Sequence, residues 1–374
     1  MSAEESGLLT RAAPLMEPMP AGHRETRAGR LYRQLWRLGL FDRLIRAQPD
    51  RLTVLLYHRI ADPEAVARNG FAENVSATPE RFDEQVRYLK THFNLITASH
   101  LADAMAGRAE LPPRAALITF DDGYRDNHDI AMPILRRHGA PALLCVAAGC
   151  VGSNRPFFWD LAGYCFAHST RSVADLPILG ERSLGGTDRE RALHDWVHAA
   201  KRLPESDKRA ALARLPDALG VAVPPDAFAD SHVTWSQIAR MQEYGFEIGA
   251  HTITHPILSQ VPPDRARNEI RRSRTILERR LGSPVRGFAY PNGSARDFGD
   301  EHERMVAEAG FEMAFTTVEG PAWRKEAFRS RFRIRRINVA QSDTLARFAA
   351  KVSGMAQLPI RLRAILTGAK GLAG

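Results

Sequence analysis

From residue 51 onward, short apolar runs alternate with amphipathic stretches, and this alternation limits the fold more than any other property of the chain. Residues 53–60, 115–120, 141–147, 246–249, 285–290 and 311–316 read as strands, and 79–93, 127–138, 235–244, 262–281 and 301–309 read as helices. Strands separated by helices need crossover connections, so the sheet is expected to be parallel. The predicted fold is an α/β barrel, closed or nearly so. In such a fold the reacting side chains sit at the C-terminal ends of strands. Thr119-Phe120-Asp121-Asp122-Gly123 closes the run 115–120, and His251-Thr252-Ile253-Thr254-His255 follows 246–249, so two polar motifs occupy the expected places.

These motifs suit metal chemistry. Neighbouring carboxylates at a strand end cannot both point into one barrel unless the strand is already turning there. One can therefore bind metal while the other handles protons. His251 and His255 are four residues apart, which on a helical turn places both imidazoles on one face, and Asp122 adds an oxygen donor. Three protein ligands leave a position open for water, whose pKa the ion lowers while it polarises an acyl carbonyl. One divalent ion is expected, with Zn2+ the default and Co, Ni, Mn or Fe compatible with the same donors.

The remaining sequence defines the surroundings. A chain of 374 residues, 44% hydrophobic and 25% charged, suffices for one large domain with appendages. Residues 1–22 read as a disordered leader. In 24–47, Leu31, Leu35, Leu38, Phe41 and Ile45 recur at helical spacing, with Arg30, Arg33, Arg37, Arg43 and Arg46 on the other faces. This basic amphipathic helix either lies on an anionic membrane surface or docks on the domain's own edge, the commoner outcome. The expected division is 1–50 for leader and helix, 51–342 for the catalytic domain with a helical insertion at about 153–232, and 343–374 for a C-terminal helical tail.

The net charge of +9 comes mostly from arginine. No zinc-finger spacing, RNP-like aromatic run or Gly-rich phosphate loop accompanies it, so nucleic acid is not an expected partner. Cys145, Cys150 and Cys165 are odd in number and lack a C-x-x-C spacing, which predicts reduced thiols. Glu4, Glu5 and Glu17 interrupt the first residues without an apolar core, and the longest apolar run, 140–151, is too short to span a bilayer. The expectation is a cytoplasmic protein, at most peripheral at the inner membrane face.

Taken together, Asp121-Asp122, His251-His255 and Phe288-Ala289-Tyr290-Pro291-Asn292-Gly293 resemble the first three motifs of the polysaccharide deacetylases, the NodB homology family or carbohydrate esterase family 4. The resemblance covers roughly residues 51–340. It implies a distorted (β/α)-barrel and metal-dependent removal of N- or O-acetyl groups from glycans, with Asp121 as catalytic base and the Tyr124 backbone N–H as an oxyanion donor. Pro291 and Asn292 join Tyr124 as substrate-contacting candidates. Trp159 and Asp160, with Phe157 and Phe158, either line a sugar groove or pack at the rim.

The chain departs from the family pattern in three places. The general acid is usually a His in a Leu-x-His motif near the end of the domain, but here the only His beyond the third motif is His302, inside a helix. Leu56-Tyr57-His58 lies instead at the end of the first strand, which neighbours the last in a closed barrel. Members that deacetylate biofilm poly-N-acetylglucosamine look circularly permuted in this way, which makes His58 the candidate acid. Ala289 stands where the family usually has an Arg that orients the base, leaving Arg286, Arg335 and Arg336 as replacements. The fourth motif, an Asp/Trp element, has no match near 311–320.

The predicted reaction is acetyl removal from an N-acetylated amino sugar of a bacterial polysaccharide, oligosaccharide or precursor. The rivals are a noncatalytic glycan-binding family member and a non-haem Fe(II) oxygenase, whose facial triad an Asp/His/His set also resembles. His92, His138, His168, His194 and His198 are read as lacking partners at ligand spacing, and so as surface or packing residues.

Overall fold

The computed structural model describes residues 27–357. The leader, the first residues of the basic helix and residues 358–374 of the expected tail lie outside the described residues.

Seven parallel strands, labelled β1 to β7, close into a barrel: Arg51–Tyr57, Ala115–Phe120, Ala142–Val146, Phe246–Ala250, Gly287–Ala289, Met313–Glu319 and Ile334–Asn338. Each pairs with the next in the chain, and β7 returns to β1 through Leu55 opposite Ile337. All seven residues of β1 and all six of β2 are buried, as expected of strands covered on both faces. Alternate residues divide between two cores. Leu52, Val54, Leu117, Leu143, Cys145, Met313 and Phe315 form one cluster, and Leu55, Ile118, Phe120, Leu144 and Val146 join a larger one with the surrounding helices.

β7 is the strand that the apolar pattern did not predict. Its sequence, Ile-Arg-Arg-Ile-Asn, hides the period, because Arg336 is buried completely. The N-terminal helices Arg27–Arg37 and Leu40–Arg46 bury Leu35, Phe41 and Ile45 in the larger core, beside the helix Leu345–Val352. Their apolar side is therefore spent on the domain, although Leu38 remains 68% exposed.

Between β3 and β4 the helices Phe158–His168, Asp188–Ala200 and Glu205–Leu219 and a small hairpin gather around Phe166, Trp196 and Leu215. This second core also takes in Phe71 and Tyr124, so the insertion leans on the barrel's C-terminal rim. Gly163 makes that approach feasible. A Cβ there would stand 2.2 Å from the carbonyl oxygen of Gly70.

Candidate active site

Asp121 directly follows β2 and is buried. Its carboxylate takes two hydrogen bonds from Arg336 of β7, Nη1 to Oδ1 at 2.8 Å and Nη2 to Oδ2 at 2.6 Å. Arg336 is held in turn by Nε donating to the Thr316 carbonyl and Nη1 to Thr119 Oγ1. Burial would raise the Asp121 pKa, but Arg336 and His251 outweigh it and hold the carboxyl below its ordinary value. Each oxygen retains a lone pair beyond the fork. Arg286 pairs instead with Glu312 and Asp103, and Arg335 lies near Glu326, so Arg336 alone of the three candidates reaches Asp121.

The chain turns immediately after Asp121. Asp122 has φ of +77° and Gly123 +82°, which sends the second carboxylate away from the first. Asp122 Oδ1 lies 3.5 Å from His251 Nε2 and 3.4 Å from His255 Nε2. The histidines do not share a helical turn, as their spacing had implied. They lie on a loop in which Thr252 and His255 both take left-handed backbone conformations. Glu269, from the helix Pro263–Leu281, holds this loop by accepting from the Ile253 and Thr254 N–H groups and from Thr254 Oγ1. Nothing in the local sequence marks Glu269, which acts from fourteen residues or more downstream.

The donor set fits a divalent ion. Separations of 3.4–3.5 Å are long for hydrogen bonds and close to the edge of a coordination tetrahedron. His251 Nδ1 lies 2.7 Å from the Ala289 carbonyl, which fixes the tautomer and turns Nε2 toward Asp122. Burial, reinforced by His251, drops the His255 pKa to about 3, so this imidazole is neutral and ligand-competent. The trio is one of two His/carboxylate groupings of metal-binding geometry among the described residues.

A cavity of about 270 Å³ opens above these groups. His58, Asp121, Asp122, His251 and His255 line it, with Trp159, Asn292, Asn338, Thr317, Glu73 and Lys201 around them. His58 follows β1 at once, its N–H donating to Ser76 Oγ and its carbonyl accepting from Asn127 Nδ2. Burial lowers the His58 pKa, while the charges of Asp122 and Asp121 oppose the shift.

The other substrate-contacting candidates divide. Trp159 reaches the cavity, and Nε1 donates to Tyr124 Oη. Asp160 does not line the cavity: it is buried behind Trp159 and accepts the Tyr124 hydroxyl at 2.8 Å, its pKa pushed up to about 6 by burial against the opposing charge of Arg59. The Tyr124 side chain thus turns away from the reacting groups. Pro291 also lies off the cavity surface, within a turn where Gly293 N–H donates to its carbonyl. Phe157 packs edge-on against His255, and Phe158 sits under Lys208. His302 caps its own helix by accepting from Gly299 N–H, far from the base.

The reading of His194 and His198 as unpartnered does not hold. They lie one turn apart on the helix Asp188–Ala200, and both approach Glu73. Their spacing of four was visible in the sequence; the distant carboxylate was not.

A family model described as polysaccharide deacetylase matches residues 108–314. A Bacillus subtilis (strain 168) protein named "Putative polysaccharide deacetylase YxkH" is 18% identical over 309 residues, spanning 82% of this chain and 78% of its own. Among solved structures, the Streptococcus pyogenes deacetylase PplD in complex with acetate aligns with a TM-score of 0.53 at 18% identity, over 81% of this chain and 99% of that one. IcaB from Ammonifex degensii aligns with a TM-score of 0.51 at 22% identity, over 82% and 98%. These likenesses are to the fold. His58 and Arg336 both fall outside the residues that the family model matches.

Proposed function

The chain belongs to the polysaccharide deacetylase family, hydrolases that act on acetyl groups of carbohydrates, and from that premise we propose that it removes acetyl from an N-acetylated amino sugar in a metal-dependent reaction. The observation that carries this reading is the buried Arg336–Asp121 fork set beside the Asp122, His251 and His255 donors, all opening on one cavity. In this proposal Asp122, His251 and His255 would hold one divalent ion, zinc by default. Bound there, it would supply Lewis acidity toward an acyl oxygen and toward water.

The chain's own groups do the proton work. Asp121 is kept ionised by Arg336 and takes a proton from the attacking water. His58, at the end of the neighbouring strand β1, gives a proton to the departing amine, which leaves poorly without one. The Tyr124 backbone N–H, just past the Asp122–Gly123 turn, is proposed as an oxyanion donor. Trp159 and Asn292 are proposed to contact the sugar. The acetate held by the PplD structure is consistent with a product of this kind.

The noncatalytic reading rested on Ala289 and on the missing fourth motif. Arg336 supplies a guanidinium to Asp121 from another strand, which answers the first of these. The oxygenase reading offers no use for the Asp121–Arg336 fork. Among the described residues no helix is long and apolar enough to cross a membrane, and the N-terminal helices spend their apolar side on the domain. Membrane contact would then rest on their arginines and the exposed Leu38.

The test is acetate release from N-acetylglucosamine oligomers and from lipid-linked and nucleotide-linked N-acetylhexosamines, with and without chelator. Loss of activity on chelation, restoration by added zinc and inactivity of Asp121→Asn are expected. Activity that survives chelation, or persists in Asp121→Asn, would remove the mechanism.

A further inference from the structure

Away from the reacting groups, the insertion carries a second set of metal-type donors on the cavity rim. His194 Nε2 lies 3.9 Å from Glu73 Oε1, and His198 Nε2 lies 3.8 Å from Glu73 Oε2. The two imidazole centroids are 4.3 Å apart, and one donor atom from each of the three residues falls within 4.8 Å of the others. These separations are too long for hydrogen bonds. The two His–Glu distances, one to each oxygen of Glu73, exceed the edge of a tetrahedron with ligand bonds of about 2.0–2.1 Å by about half an ångström. All three side chains are 44–50% exposed, so small rotations can close that gap.

The imidazoles are prepared for this role. His194 Nδ1 meets Asp195 Oδ1 at 3.2 Å, an arrangement that orients the ring and leaves Nε2 toward Glu73. The i, i+4 placement on one helix keeps both nitrogens on the same face whether or not an ion is present.

We propose that Glu73, His194 and His198 form a second divalent-cation site, suited to a borderline ion such as Zn2+, which clasps the insertion to the turn Ala72–Asn74. Glu73 lines the cavity, and so does Lys201, the residue immediately after the helix that carries both histidines. An ion here therefore fixes two polar groups at the cavity mouth without touching the reacting atoms. The site stands independently of the reaction assigned to the cavity.

Metal content of the purified full chain tests it. The protein is stripped with chelator, titrated with Zn2+ by calorimetry, desalted and assayed by mass spectrometry. Two equivalents are expected for wild type and one for His194→Asn/His198→Asn. One equivalent is also expected for Asp122→Asn, this time the rim ion. Glu73→Gln should weaken the rim ion at least about tenfold, a loss of about 1.4 kcal/mol. The second equivalent should raise the melting temperature of wild type but not of the double variant, with circular dichroism confirming that the variants are folded. A single equivalent in wild type that persists in the double variant, or two that persist unchanged in the double variant and in Glu73→Gln, overturns the rim site. Failure of the deacetylase reading would look different: two ions bound and no acetate released.

Discussion

On the floor of the cavity, Asp121, Asp122 and His251 follow the ends of parallel strands, with Arg336 beneath them on β7, and the barrel backbone fixes where each can point. On the wall, Trp159, Glu73 and Lys201 come from an insertion and a turn that meet through side-chain packing and one close glycine contact. Position on the floor is set by the backbone, and position on the wall by contacts between distant segments. Floor substitutions should therefore damage turnover, and wall substitutions should damage substrate affinity while leaving turnover largely intact.

Arg336→Met gives the harshest test, because it strands a buried carboxylate. A loss of about 3–5 kcal/mol in denaturant unfolding is expected, together with loss of acetate release. Arg335→Met, at a half-exposed position near Glu326, should cost within about 0.5 kcal/mol. Equal costs would dissolve the distinction between a floor residue and its neighbour.

The fork also sets an acid response. The pKa of Asp121 is lower in the folded chain than its ordinary 3.8, so its contribution is present above about pH 4 and is lost as pH falls through the lowered folded value. Asp121→Asn should flatten that part of a stability-versus-pH curve measured by urea titration.

Next in size, His58→Ala should lower kcat by about 10²–10⁴-fold while zinc content stays at wild-type level. A variant with normal turnover would move the acid elsewhere. Gly163→Ala probes the wall without touching the cavity. Its new methyl meets the Gly70 backbone, so about 1–3 kcal/mol of stability should be lost and KM should rise more than kcat falls. A kcat collapse in that variant would show that the wall shapes the chemistry too. Trp159→Ala should have the smallest effect, a rise in KM of about tenfold, or about 1.4 kcal/mol, read from initial rates on N-acetylglucosamine oligomers.

What could be read from the sequence follows the same division. The strands β1 to β6 announced themselves as apolar runs, and the floor motifs stood where such strands end. β7 escaped because a completely buried arginine interrupts its apolar pattern, and that arginine is the partner missing from the third motif. The strand could not be found for the same reason that Asp121 has a partner. The histidine loop was placed correctly but given the wrong backbone, since left-handed conformations at Thr252 and His255 leave no mark in a spacing of four. The sequence offers Asp160 both a sugar groove and rim packing, because spacing alone cannot tell which face of its helix meets the cavity. The rim histidines needed Glu73, which only the docking of the insertion brings near.

Arg336 and Asp121 are separated by 215 residues, and the ribosome delivers them in that interval's order. His58, both aspartates and both loop histidines leave the exit tunnel well before the guanidinium that neutralises the base. Until the last strand slots between β6 and β1, a buried Asp121 carboxylate is too costly to maintain, so the half-made barrel cannot hold a finished catalytic floor. Hydrolytic competence is thus tied to the synthesis of β7, and a chain truncated before that strand would be inert even though the three recognised motifs are already present in it.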